Sequence, residues 1–86
     1  MKLQGAIITE QGQEFAIVVV KNHIVQNSHE ANDTIRLFSP YFPGMPVVLA
    51  GQDSRGTFTY FGRRDISAFL ASISASRIPW MEYTFN

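Results

Sequence analysis

Two arginines follow a glycine at Gly62-Arg63-Arg64, just ahead of an apolar-periodic stretch. Cations at a helix start oppose the helix dipole by roughly 0.3–1 kcal/mol each when exposed. A local rule broken in this way often marks function. The free N–H groups of a helix N-terminus, with two guanidiniums beside them, are suited to hold a phosphate or carboxylate. Arg55 lies in the connection that precedes the same strand, and Tyr60 lies on that strand. The candidate ligand-binding set is therefore Arg55, Tyr60, Gly62, Arg63 and Arg64. A plainer reading pairs the arginines with Asp53, Asp65 or Glu82.

Aromatic side chains beside arginines also suit single-stranded nucleic acid. Phe58, Tyr60 and Phe61 fall between Arg55 and Arg63, and bases stack on such rings for about 1–3 kcal/mol each. An alternating Phe/Tyr strand is, however, more often the core face of a sheet. Seven basic and seven acidic residues give no net charge, so no general positive field exists to draw a polyanion. Nucleic acid is accordingly a disfavoured partner.

Other chemistry finds less support. His23 and His29 flank a polar stretch with Glu30 and Asp33, without a metal-ligand spacing. Asp53-Ser54 lacks the glycine-framed turn of a hydrolase nucleophile, no phosphate-binding glycine loop is present, and no carboxylate pair invites acid–base work. The chain has no cysteine, which excludes disulfides, thiolate nucleophiles and zinc–thiolate sites. The expectation is a protein without catalytic residues, metal or cofactor. The missing disulfides favour the cytoplasm. No signal peptide is visible, and the longest apolar run, Phe15 to Val20, is too short to span a membrane.

The elements that must position these residues are sharply punctuated. Leu3–Thr9 and Glu14–Lys21 read as strands joined by a hairpin with positive φ at Gly12. Glu14–Lys21 is apolar on both faces and belongs in a sheet interior. Asn22–Asn27 either continues that strand or forms a loop. Asn27 or Ser28 caps a helix over about His29–Phe38, with Glu30 at the reciprocal position and Pro40 ending it. Pro46 opens a second interior strand, Val47–Ala50. Asp53-Ser54-Arg55-Gly56 connects it to Thr57–Phe61, and Ile66, Phe69, Leu70 and Ile73 mark a second helix. Met81, Tyr83 and Phe85 alternate with Glu82 and Thr84, as a last strand or an arm laid over the sheet.

The stretch from Phe15 to Leu70, about two thirds of the chain, resembles the second half of the thioredoxin fold: strand, helix, Pro46-led strand, Gly-bearing turn, strand, Gly62, helix. The first strand–helix unit and the Cys-x-x-Cys site of that family are absent, so the resemblance implies a truncated thioredoxin-like topology and no function.

The pattern predicts a single α+β domain over residues 1–86, in ββαββα order. Its sheet has four strands, mixed or antiparallel, with a possible C-terminal fifth, and its two helices lie mainly on one face. Charged residues are only 16% of the chain, below the usual quarter, which suggests surface withdrawn from water. Two interior strands with cover on one side leave the other side bare. A homodimer in which the C-terminal arm takes part would close it. Trp80, Met81, Tyr83 and Phe85 are the candidate interface, being near or among the residue types that carry binding hot spots. The chain thus reads as a small non-enzymatic binding or protein-interaction module that self-associates. The alternative is an anion, nucleotide or single-stranded nucleic-acid binder working through the arginine cluster.

Overall fold

Strands β1 (Lys2–Glu10) and β2 (Gln13–Lys21) form an antiparallel hairpin in a computed structural model that describes residues 1–86. The connection has two residues, Gln11 at φ 51° and Gly12 at φ 77°. Both central residues in the left-handed region make the turn whose twist matches that of the strands. Gly12 carries this conformation freely, and Gln11 carries it against the usual preference.

Past β2 the chain enters a four-residue helix α1 (Asn22–Val25), so the segment between strand and main helix is neither strand nor loop. Helix α2 (Ser28–Phe38) follows, and the Asn27 side chain accepts a 3.0 Å bond from the Glu30 N–H. A 3-10 turn at Ser39–Tyr41, built around Pro40, ends it. The helical crossover delivers β3 (Val47–Gln52) parallel to β2, with Ala16 opposite Val47 through Lys21 opposite Gln52. The Ala16 N–H already bonds the Pro46 carbonyl at 2.9 Å, so Pro46 contributes its acceptor and needs no donor. β4 (Phe58–Phe61) returns antiparallel after a turn organised by Asp53, whose Oδ1 accepts the N–H groups of Arg55 and Thr57. Helix α3 (Arg64–Ala71), a 3-10 turn at Ala75–Arg77 and β5 (Met81–Thr84) complete the chain.

The sheet is mixed and five-stranded, in the order β4-β3-β2-β1-β5. The α+β class, the ββαββα order and the fifth strand are as the sequence predicts. β5 pairs antiparallel with β1, from Lys2 opposite Thr84 to Gly5 opposite Met81.

The disposition of the helices differs from expectation. α1 and α2 cover one face, where Val25, Ala31 and Phe42 pack with Leu3, Ala16, Val18, Val47 and Leu49. α3 covers the other, where Ile66, Leu70 and Ile78 pack with Ala6, Phe15, Ile17, Val48 and Ala50. The physical reason is in β2 and β3. Both expose apolar side chains to both faces, and neither face can be left to water at about 25 cal/mol per Å². Three short helices suffice because the C-terminal segment supplies the remainder on both sides. Trp80 packs with the α3-side core, and Tyr83 and Phe85 pack with the α2-side core. The bare face that called for a second copy does not exist. No helix is long and apolar enough to cross a membrane.

Candidate functional site

The arginines are not gathered into one site. Arg63 is the N-cap residue of α3 and donates twice to Asp65, Nε to Oδ1 at 2.8 Å and Nη2 to Oδ2 at 2.7 Å. The hydrogen bonds from Arg63 hold the Asp65 carboxyl down at about 2, and the same bonds raise the guanidinium in return. This local pair also returns a negative charge to the start of α3, which answers the dipole objection. Arg64 is exposed and forms no ion pair. Arg55 sits in the hairpin turn at the other end of β4, separated from Gly62 by the length of that four-residue strand, roughly 13 Å at 3.3 Å per residue. Gly62 has a packing role: a Cβ there would lie 2.9 Å from Val48 Cγ2 and 3.1 Å from Val48 Cα.

Tyr60 belongs to the core on the α3 side. Its hydroxyl is buried without a hydrogen-bond partner, and burial pushes its pKa up. Phe58 stacks on Tyr60 at 6.1 Å and on Trp80 at 5.1 Å, so these rings are occupied with one another. The Trp80 indole N–H donates to the Ala75 carbonyl at 3.0 Å. Tyr83 and Phe85 pack edge-on against Phe42 at 6.1 and 5.7 Å. Of the four candidate interface residues, Met81 alone is mainly exposed. His23 faces Glu30 at 3.5 Å and His29 faces Asp33 at 3.4 Å, as two separate surface pairs, and no group of three metal-ligating side chains forms.

A different feature comes from the unequal lengths of β1 and β5. β5 covers β1 only as far as Gly5, whereas β1 continues to Glu10. In an antiparallel pair, alternate residues exchange both backbone bonds. Met1 and Phe85 do so, at 2.7 and 2.8 Å. The alternation then turns Leu3 and Gly5 toward β5 and leaves the N–H and C=O groups of Ile7 and Thr9 on the same side. β5 pairs with β1 no further than Gly5, and no turn, cap or side-chain bond involves Ile7 or Thr9. Pro79 stops the ladder: continuing the β1–β5 register would bring it opposite Ile7, and it has no N–H to give. The chain also turns away there, with the Trp80 N–H bonded to the Ile78 carbonyl at 2.9 Å.

A groove of about 510 Å³ lies along this open edge. Ile8, Phe69 and Ile73 form its apolar floor, Glu10 and Arg77 its charged margins, and Pro79 its end. Neither Glu10 nor Arg77 has an ion-pair partner. Met81, 55% exposed, and Ile7, 37% exposed, add apolar surface on the opposite face of the sheet at the same point. The other two strand margins are protected differently. β4 is four residues long, and β5 carries Glu82, 3.9 Å from Lys2. Sequence reasoning passes over Ile7 and Thr9. The available signal was the mismatch between a nine-residue first strand and a last strand that cannot extend upstream of Pro79.

No family model matches this chain, no curated protein matches it, and no solved structure matches it.

Proposed function

We propose that this protein is a non-catalytic interaction module that docks an extended segment of a partner onto the open edge of β1. The observation that carries this reading is the unpaired backbone of Ile7 and Thr9 standing directly over an apolar groove. Strand addition supplies main-chain hydrogen bonds, and alternate side chains of the added strand read the flanking pockets. Bare, apolar strand edges are normally avoided because they pair with other chains, and an edge kept bare beside a groove is suited to controlled pairing. A second copy of this chain is the alternative occupant of the same edge. The anion reading is weaker, since Arg63 is engaged by Asp65 and Arg55 lies at the far end of β4.

The test is selection of extended peptides from a random library on the immobilised protein, followed by NMR of the complex. Bound peptides are expected to shift the amides of Ile7 and Thr9 first. Thr9→Pro deletes an outward-facing donor and fixes φ at that position while leaving the β2-facing groups of Ile8 and Glu10 in place, so it is expected to abolish binding while the protein stays folded by circular dichroism. Selected peptides that bind Thr9→Pro undiminished would refute the reading.

A further inference from the structure

Resting on that reading, we infer that the occupant of the β1 edge is the carboxyl-terminal end of a peptide, running antiparallel to β1 with its terminal carboxylate at Arg77. Three observations combine. First, both neighbours of β1 in the sheet, β2 and β5, are antiparallel to it, and antiparallel pairing is the stronger arrangement. A strand in that direction enters at Glu10 and travels toward Pro79. Second, the path is closed ahead of it. Pro79 lines the end of the groove, and beyond it the space beside Gly5 is filled by Met81. An internal segment would have to leave the sheet at this point, whereas a chain end can stop there. Third, the closed end carries a cation without a partner, Arg77, and the open end carries an anion without a partner, Glu10.

The order of side chains follows from the pleat. The peptide residue opposite Thr9 exchanges both backbone bonds with it. The next residue lies beside Ile8 and drops an apolar side chain toward Phe69 and Ile73. The chain ends there or one residue later, where its carboxylate is in reach of the Ile7 N–H and the Arg77 guanidinium. A basic residue near the entry is favoured by Glu10. The same geometry disfavours a second copy of this chain. Paired about a two-fold axis with Ile7 opposite Thr9 of the second copy, that copy's hairpin turn would fall beside Gly5 and Gln4, the places held by Met81 and Glu82.

The test uses two sets of fluorescein-labelled hexapeptides with Lys fourth from the end and apolar residues in the last two places. One set has a free carboxylate and the other a terminal amide. Fluorescence anisotropy against the intact protein is expected to give about tenfold tighter binding for the acids, as befits loss of a charge-assisted contact. Arg77→Gln is expected to erase that difference while leaving binding of the amides unchanged. Acids and amides bound equally, with Ile7 and Thr9 amides still perturbed, would overturn the carboxylate inference and leave strand addition standing. Peptides of either set that bind without touching Ile7 or Thr9, or no binding in any member of either set, would overturn both. A mass near twice the monomer in sedimentation equilibrium, lost in Thr9→Pro, would assign the edge to a second copy and overturn the inference too.

Discussion

Replacing Ile78 by alanine asks whether the C-terminal segment is part of this chain's own core. Ile78 is 4% exposed and shares its apolar cluster with Ala6, Ile66 and Leu70. Isoleucine-to-alanine changes in cores cost about 2–5 kcal/mol, the spread reflecting how far the site collapses. Ile78 lies between the exposed residues Arg77 and Pro79, so its surroundings can close in partly. The lower half of that range, about 2–3 kcal/mol, is the expected cost. A chain of this length has a total stability of about 4–13 kcal/mol at 0.05–0.15 kcal/mol per residue, so the variant is expected to stay folded and be weakened. With a urea dependence of about 1 kcal/mol per molar for a small domain, the unfolding midpoint should fall by about 2–3 M. Trp80 is the sole tryptophan and stacks on Phe58, so its fluorescence reports the transition. The drop should be the same at protein concentrations about a hundredfold apart. Met81→Ala, at a side chain 55% exposed, should move the midpoint by no more than about 0.5 M by the same conversion. An unmoved midpoint in Ile78→Ala, or one that depends on protein concentration, would refute packing of this segment on its own sheet.

The Arg63–Asp65 pair predicts an acid-sensitive contribution at the start of α3. The folded Asp65 carboxyl sits at about 2, below its ordinary value near 4, so the contribution is present above about pH 4 and is lost as the pH falls through about 2. NMR titration of the Asp65 carboxyl should show this low midpoint in the native protein and an upward shift in Arg63→Gln. At α2, Asn27→Ala removes the acceptor of the Glu30 N–H and should cost about 1 kcal/mol in urea unfolding, with Asn27→Ser retaining most of it.

Much of the architecture is legible in the residues. Unbroken apolar runs within Glu14–Lys21 and at Val47–Ala50 locate the interior strands, because both faces of each are apolar. Ile66 and Leu70 locate α3 because they recur at helical spacing and are both buried. Asn27 with Glu30 locates the start of α2 through one specific bond. The faces on which the helices lie are not legible, because an amphipathic stripe states that a helix is covered and not which side of the sheet covers it. Nor is α1, four residues held by the chain reversal after β2 and by Val25 in the core. The arginine cluster looks like a site in sequence because Arg55 and Arg63 are eight positions apart. Extended backbone turns that short interval into a separation across a whole strand. The β1 edge is invisible for the opposite reason: it is created by the register between residues at the two ends of the chain, Gly5 and Met81.

The central pair of strands has a consequence for how the chain comes together. β1 and β2 meet across a two-residue turn and can zip locally, whereas β2 and β3 meet only after the whole segment from Asn22 to Pro46 has been looped back. That closure carries an entropic penalty before any contact offsets it. Once formed, the pair is flanked by strands on both sides and roofed on both faces, so its amides open to solvent only when the entire structure gives way. A pairing that forms only after a long closure thus becomes one of the parts most slowly undone.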